Sequence, residues 1–373
     1  MAKRLFGPGF HLPLDKGGVR WYNESAPMAT LEDVAKRAGV SRSTVSRVIN
    51  HHPSVRLETA ELVQRAIREV GYRPHSVARS LVTKRTRIIG ITIPEAISKL
   101  FSDQFFAILL QGAAQACNAR GYQLTLTLFD DPRKHEEVYA RGLQNGYVEG
   151  AVVASAPPDD PLIQALRKDR LPAVAVGKQD GLPYVDVDNY GGARMATEHL
   201  LQLGYRRIAT VTGPLGHFHV QDRLTGYRAA LEEHNVAFEE KLVAEGGFTE
   251  AGAMVAMQRL LPLRPEAVFV QGDTMAAGAL RALRAAGLRV PEDIGLVSFD
   301  DLPLASLLEP PLTTVRQPIR LLGFMAVELL LNQLEGGKTS QEVVLPVELV
   351  VRNSCGAVRE NGVRSERRAS ARG

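Results

Sequence analysis

Cysteine is almost missing: Cys117 and Cys355 are the only two among 373 residues. Two thiols exclude a disulfide framework and a four-thiolate zinc site. No apolar run approaches the ~18–20 residues that a membrane-crossing helix needs. There is no phosphate-binding loop, no nucleophile elbow and no zinc motif, and no G-x-G-x-x-G follows the first candidate strand. The opening segment MAKRLFGPGFHLPLDKGG carries two early bases, but Gly and Pro interrupt the apolar run of a secretory signal, so a cytoplasmic protein is expected. What remains is 45% hydrophobic and 23% charged, ordinary for a globular chain. The length suits two or three domains of ~100–200 residues each.

Charge is divided unevenly along the chain. Residues 28–90 hold 12 Lys/Arg against 5 Asp/Glu, a surplus of +7, whereas residues 91–353 hold 24 against 32, a deficit of −8. Residues 1–27 add +2 and residues 354–373 add +3, which completes the total of +4. A basic piece of about sixty residues on an acidic body points to a small polyanion-binding module joined to a larger domain. A merely solvated basic surface is the alternative.

Residues 30–50 read TLEDVAKRAGVSRSTVSRVIN. Thr30 followed by Asp33 is a capping-box-like helix start. Leu31, Val34, Ala35 and Ala38 then share one helical face. Gly39 tolerates the left-handed conformation of a tight turn. Ser41 can cap a second helix whose inward stripe is Val45, Val48 and Ile49. That leaves Arg42, Ser43, Thr44, Ser46, Arg47 and Asn50 outside, the pattern of a helix-turn-helix with its recognition helix. A third helix from about Thr59 to Val70 closes the bundle with Leu62, Val63, Ala66, Ile67 and Val70. Arg47 can reach guanine O6/N7, and Arg42 and Ser43 are the natural specificity positions. Asn50 and the Ser/Thr hydroxyls, Thr44 among them, suit phosphate. A helical hairpin that binds nothing is the competing reading.

The string VAKRAGVSRSTVSRVIN, followed by GYRPHSVARSL, resembles the LacI/GalR family of bacterial transcriptional repressors, and the resemblance continues to about residue 353. It implies that residues 28–73 are the DNA-binding domain and residues 74–86 a hinge helix and linker. The hinge helix would form on operator DNA and insert a leucine into the minor groove. Here that segment is Pro74-His75-Ser76-Val77-Ala78-Arg79-Ser80-Leu81. Pro74 suits a first helical turn, Ala78 is small enough for the groove floor, and Leu81 is an apolar wedge. Ser76, Ala78 and Leu81 are therefore expected at DNA, with Lys84, Arg85 and Arg87 adding charge. A plain linker whose Leu81 packs on the body is the alternative. One departure is that Arg56 and Leu57 stand where the family commonly has a Ser or Thr cap, so Arg56 is expected to take the phosphate contact.

From Arg87 onward short β-branched runs alternate with amphipathic helices. Candidate strands are Ile88–Ile93, Gln123–Leu128, Ala151–Ala154, Ala173–Val176, Ile208–Thr212, Ala267–Val270 and Ile294–Ser298. They are apolar throughout, as parallel strands covered on both faces are. The fold class expected is therefore α/β: an all-α helix-turn-helix bundle and hinge helix, then a doubly wound body spanning residues 87–353. The resemblance implies two lobes like a periplasmic sugar-binding protein, with crossings placed near Asp188, Pro318 and Gln341. Residues 1–27 are expected to be a disordered extension and residues 354–373 a disordered Arg-rich tail. The tail lacks the leucine heptad by which tetrameric relatives assemble, so a homodimer is expected.

Ligands of open α/β sheets bind at the carboxyl ends of the strands. Ser102-Asp103-Gln104-Phe105-Phe106 follows the first strand, and oligosaccharide-responsive relatives often have a similar segment, which nominates Asp103 and Phe105. Carried over by position, the family's inducer contacts fall on Ser155, Gly177, Arg223, Phe248, Gly272, Asp300 and Gln317. Arg223 and Asp300 match the most characteristic pair. Gly177 and Gly272 depart from sugar repressors that place polar side chains there, and are expected to enlarge the pocket. Asp300 and Asp301 are adjacent, so their side chains diverge and make a poor acid/base dyad. His217 and His219 have no third ligand placed with them, so inducer contact or solvent exposure is preferred over a metal. No cofactor and no metal are expected.

The function expected is a sequence-specific DNA-binding regulator, a repressor of carbohydrate genes. Its partners would be double-stranded operator DNA and a sugar or sugar derivative held between two lobes. The alternatives are a regulator controlled by a protein partner or by no small molecule and, more remotely, an α/β sugar-processing enzyme.

Overall fold

The computed structural model describes residues 29–49, 52, 54–72, 85–129, 143, 146–158, 160–337 and 340–357. The chain divides into a head ending at Arg85 and a body beginning at Thr86. The expectations for residues 1–27 and 358–373 lie outside the described residues.

The head is a bundle of α1 (Leu31–Ala38), α2 (Arg42–Ile49) and α3 (Leu57–Val70). Asp33 N–H donates to Thr30 Oγ1 at 3.3 Å and Thr30 N–H donates to Asp33 Oδ2 at 2.8 Å, a reciprocal cap that fixes the start of α1. Gly39 ends that helix with φ 65°, and Thr44 N–H donates to the Ser41 hydroxyl at 3.1 Å to begin α2. Val34, Ala35, Ala38, Val45, Val48, Val63, Ala66 and Tyr72 form the core. Two expectations need correction. The third helix begins at Leu57, two residues before Thr59, and Leu62 is 45% exposed. The stripe that packs inward is Ala60, Val63, Ala66, Ile67 and Val70. Leu62 precedes Val63 by one position, roughly 100° around the helix, and so turns outward.

The body contains twelve strands among the described residues: β1 (Ile88–Ala96), β2 (Gln123–Phe129), β3 (Gly150–Ala154), β4 (Ala173–Val176), β5 (Tyr184–Val187), β6 (Ile208–Thr212), β7 (Val243–Glu245), β8 (Ala267–Val270), β9 (Gly295–Asp300), β10 (Thr313–Arg316), β11 (Glu342–Leu345) and β12 (Glu348–Val350). They form two six-stranded sheets. The first is ordered β2-β1-β3-β4-β5-β11 and is parallel throughout. The second is ordered β7-β6-β8-β9-β10-β12, parallel except for the antiparallel β12 at its edge. Helices α4 (Ile97–Ser102), α5 (Gln104–Ala119) and α6 (Pro161–Lys168) flank the first sheet. Helices α7 (Asn189–Gln202), α8 (Phe218–Glu233), α9 (Glu250–Leu260), α10 (Asp273–Ala285) and α11 (Pro303–Leu307) follow in the second lobe, and α12 (Ile319–Leu334) returns to the first.

Each sheet is covered on both faces, as its uninterrupted apolar strands require. Ile89, Ile91, Val152, Val174 and Val185 face α5 and α12, while Ile88, Ala151 and Val153 face α6. The chain crosses between lobes at Asp188 and again at Gln317–Pro318, as expected. The third crossing lies between β11 and β12, at residues 346–347, rather than near Gln341, because Glu342–Leu345 first pairs with β5 and completes the first sheet. The second lobe also extends past residue 353. Ser354 Oγ donates to Leu296 carbonyl at 2.7 Å and accepts from Thr313 N–H at 2.8 Å, and Cys355 is fully buried. These two residues are core rather than tail.

Backbone contact between α5 and α12 holds the first lobe together. A Cβ on Gly112 would stand 1.9 Å from the Arg320 carbonyl oxygen, and one on Gly323 would stand 2.1 Å from that of Leu109. No rotamer relieves a clash with backbone. Gly112→Ala should therefore destabilise the protein by about 3 kcal/mol in urea unfolding; a loss below ~1 kcal/mol would mean that the helices separate at little cost.

Candidate functional site

The strand ends of both sheets converge on a cavity of about 90 Å³. One water needs ~10–15 Å³ in such a measure, so the space suits a small polar ligand or several waters. Asp103, Phe105 and Phe106 line it from the first lobe with Ser155, Val176, Gly177 and Leu322, and Arg223, His219, Phe248 and Asp300 line it from the second. Asp186, Asn189 and Gln317, at or beside the crossings, complete the wall. Eight of the nine residues nominated from sequence thus meet in one place. Gly272 does not line the cavity. It precedes α10, and a Cβ there would sit 3.3 Å from Asp300 Oδ2, so its lack of a side chain makes room for that carboxylate. Phe106, Val176, Asp186, Asn189 and Leu322 were not nominated, whereas His219 was weighed as an inducer contact.

Arg223 is the buried centre of the wall, with 5% of its surface exposed. Its Nε donates to Asn189 Oδ1 at 2.8 Å and its Nη1 to the Gln271 carbonyl at 2.8 Å. The guanidinium lies 3.7 Å from the Phe299 ring centre, and Nη1 is 3.9 Å from Asp300 Oδ1. Asp300 accepts from Gln317 Nε2 at 2.5 Å. Burial pushes the Asp300 carboxyl well above its ordinary value; Arg223 and Gln317 pull it down, while Asp273 and Asp103 push it further up. Asp301 turns the other way and pairs with Arg316 and Arg352, each at 2.6 Å. The adjacent aspartates diverge, as their spacing implied.

Two aromatic surfaces bound the cavity. Phe105 and Phe106 meet edge to face at 5.5 Å, and His219 stacks on Phe248 with ring centres 5.5 Å apart. His219 and Arg223 are four residues apart on α8 and so share a helix face. Ser155, Phe248 and Asp300 hold φ of 62°, 56° and 112°, a left-handed backbone that costs energy in residues with a side chain and collects at functional sites. Asp103 caps α5 by accepting from Phe105 N–H at 3.0 Å, and Thr274 Oγ1 of the second lobe lies 3.5 Å from its Oδ1. No group of three or more His, Cys, Asp or Glu suited to a metal ion occurs among the described residues.

In the head, Arg42, Ser43 and Arg47 are exposed on α2, and Thr44 is half-buried. The Ser43 and Thr44 hydroxyls lie 2.7 and 2.8 Å from the Ser41 hydroxyl, so their orientation is set by the cap that starts the helix. Arg42 is 3.9 Å from Glu32, a surface pair of little worth that a phosphate can displace. Arg56 is exposed just before α3 and makes no side-chain cap, which leaves it available to an anion. Asn50, Ser76, Ala78 and Leu81 lie outside the described residues.

Behind Asp300, the fully buried Asp273 accepts from Ser298 Oγ, from Thr314 Oγ1 at 2.8 Å and from Leu302 N–H at 2.7 Å. Burial nevertheless raises its carboxyl to about 7. A folded pKa above the unfolded ~3.9 means that the native state holds a proton longer, so stability falls as pH rises through about 7. In Asp273→Asn the amide oxygen can take Leu302 N–H while its nitrogen donates to the two hydroxyls. Urea unfolding should show the wild-type protein losing stability from pH 5 to 8 and Asp273→Asn losing less. Equal slopes would mean that Asp273 is ionised throughout that range.

Residues 30–75 match the bacterial regulatory proteins of the lacI family, and residues 197–355 match a periplasmic binding protein-like domain. The chain is 42% identical over 333 residues to the HTH-type transcriptional regulator CelR of Thermobifida fusca, covering 87% of this chain and 98% of that protein. It is 36% identical over 332 residues to the ribose operon repressor of Halalkalibacterium halodurans, covering 88% and 97%. Among solved structures, the CelR–cellobiose complex superposes with a TM-score of 0.70 at 40% identity, over 87% of this chain and 99% of that one. The lac repressor dimer bound to operator and the anti-inducer ONPF superposes with a TM-score of 0.79 at 30% identity, over 88% and 99%. The likeness thus extends along nearly the whole length of these proteins, and the chain belongs to the LacI family of DNA-binding transcriptional regulators.

Proposed function

We propose that this protein is a homodimeric cytoplasmic repressor of carbohydrate genes, released from or recruited to its operator by an uncharged saccharide of the cellobiose type. The observation that carries the ligand class is the side-chain chemistry of the cavity wall. Asp103, Asp186 and Asp300 line it against one cation, Arg223, whose Nε and Nη1 already donate to protein acceptors. Such a wall, whose one guanidinium is already engaged by protein acceptors, favours a ligand that exchanges hydroxyl hydrogen bonds with carboxyl groups over phosphorylated and acidic sugars. The Phe248–His219 and Phe105–Phe106 surfaces suit the apolar C–H faces of a pyranose. Support for cellobiose comes from the CelR complex at 40% identity. A cleft lined by polar groups favours a small ligand over a protein partner. The relatives are named as regulators, which supports a body that senses its ligand.

On DNA, α2 would enter the major groove, with Arg47 reading guanine and Arg42 and Ser43 setting specificity. Arg56 would take a phosphate, and Ser76, Ala78 and Leu81 would contact the minor groove. Each neutralised phosphate steepens the loss of affinity with added salt.

Fluorescence anisotropy with the protein's own promoter fragment tests this reading, using cellobiose, glucose, ribose and glucose 6-phosphate as effectors. Cellobiose should change operator affinity and glucose 6-phosphate should not. Indifference to every sugar would remove the saccharide reading. Arg47→Ala should weaken binding to the preferred site by ~1–3 kcal/mol, about fivefold to 150-fold, and relax its specificity. Arg223→Ala should abolish the cellobiose response while operator affinity stays within about twofold of wild type. An Arg47→Ala protein that still binds its site normally would overturn the recognition-helix assignment.

A further inference from the structure

Arg223 belongs to the second lobe, yet one of its hydrogen bonds runs back toward the first. The acceptor is Asn189, the first residue of α7, next to the crossing at Asp188. Asn189 is 3% exposed, and its amide spans two charges. Its Oδ1 accepts from Arg223 Nε at 2.8 Å, and its Nδ2 donates to Asp186 Oδ1 at 2.9 Å. Asp186 lies in β5 of the first sheet, where it accepts from Lys178 N–H at 2.8 Å and Val187 N–H at 2.7 Å. Only one orientation of the amide serves both neighbours, since a carboxylate only accepts and a guanidinium only donates.

The surrounding backbone gives this chain of groups little freedom. A Cβ on Gly226 of α8 would stand 2.2 Å from the Tyr190 carbonyl oxygen of α7, so the two helices that carry Arg223 and Asn189 touch through their main chains. A Cβ on Gly192 of α7 would meet the Phe299 ring at 2.8 Å, the ring on which the Arg223 guanidinium rests. A shift of Arg223 toward a ligand is therefore felt at Asn189 and, through it, at Asp186 in the other lobe.

We propose that Asn189 is a positioning residue that ties the effector-contacting Arg223 to Asp186 of the first lobe, so that cleft occupancy is transmitted to the lobe crossing. The inference rests on the effector reading for its function, but its physical core, the Asp186–Asn189–Arg223 relay, exists without ligand. An aspartate at position 189 would set two carboxylates side by side.

Hydrogen exchange of the Arg223 Nε–H, followed by nuclear magnetic resonance on the full-length protein without ligand, tests the relay directly. Asn189→Ala should exchange that proton at least tenfold faster than wild type. Cellobiose binding by calorimetry should be about tenfold weaker in Asn189→Ala and in Asn189→Asp. Unchanged protection of the Arg223 Nε–H in Asn189→Ala overturns the proposal, as does wild-type cellobiose affinity in Asn189→Asp. If wild type binds no cellobiose, the saccharide reading fails, while the exchange measurement still decides the relay.

Discussion

A guanidinium taken out of water decides how the body is arranged. An unpaired buried charge costs several kcal/mol, and a buried pair recovers this only when the remaining donors are also satisfied. Arg223 is held by groups from four places: the Asn189 side chain at the crossing, the Gln271 carbonyl after β8, the Phe299 ring in β9 and the Asp300 carboxyl at its end. Each strand end must be in register for the cation to be tolerated. Lysine would not substitute, because a single ammonium cannot send a planar fork to an amide and a carbonyl while lying flat on a ring. The same side chain therefore orders the strand ends that form the cleft.

That arrangement also determines which part of the wall is open to a ligand. With Nε and Nη1 directed at protein acceptors, recognition of hydroxyls shifts toward the carboxylates. These carboxylates are poised at a cost in stability. Burial raises Asp300 and Asp186, and Ser155, Phe248 and Asp300 hold left-handed backbone. Strain and unfavourable burial gathered at one cleft are expected of a pre-organised site, where stability is lost in exchange for geometry that a ligand need not create.

Much of this was legible in the sequence. The head was readable because its signals are local: Thr30 and Asp33 cap each other, Gly39 needs positive φ, and Ser41 starts the next helix. Leu62 misled because hydrophobicity alone cannot tell an inward leucine from its outward neighbour when Val63 stands beside it. In the body, the long apolar strands were found, whereas YVDV, VAE, TTVR, EVVL and ELV were not. These strands have three or four residues and carry acids or threonines, so their pairing is set by the sheet they join. Missing β11 also misplaced the third crossing. Within the cleft, strand-end positions were predictable from topology, but Asp186 and Asn189 were not. Asn189 acts through Arg223, 34 positions away, and Asp186 acts through Asn189, and no spacing rule records the longer bond.

The division of charge gives the two parts different duties. A surplus of +7 in residues 28–90 attracts phosphate, while a deficit of −8 in residues 91–353 opposes it. Non-specific affinity for DNA is then confined to the head, where Arg42, Arg47 and Arg56 are exposed. An acidic body contributes to control only through differential binding of its ligand to two arrangements of the lobes, since a ligand indifferent to the two shifts nothing. The coupling must be reciprocal: whatever factor an effector imposes on operator affinity, operator imposes on effector affinity. A neutral ligand fits that scheme better than a charged one. It adds no charge of its own, so whatever it does to DNA affinity must come through the arrangement of the lobes.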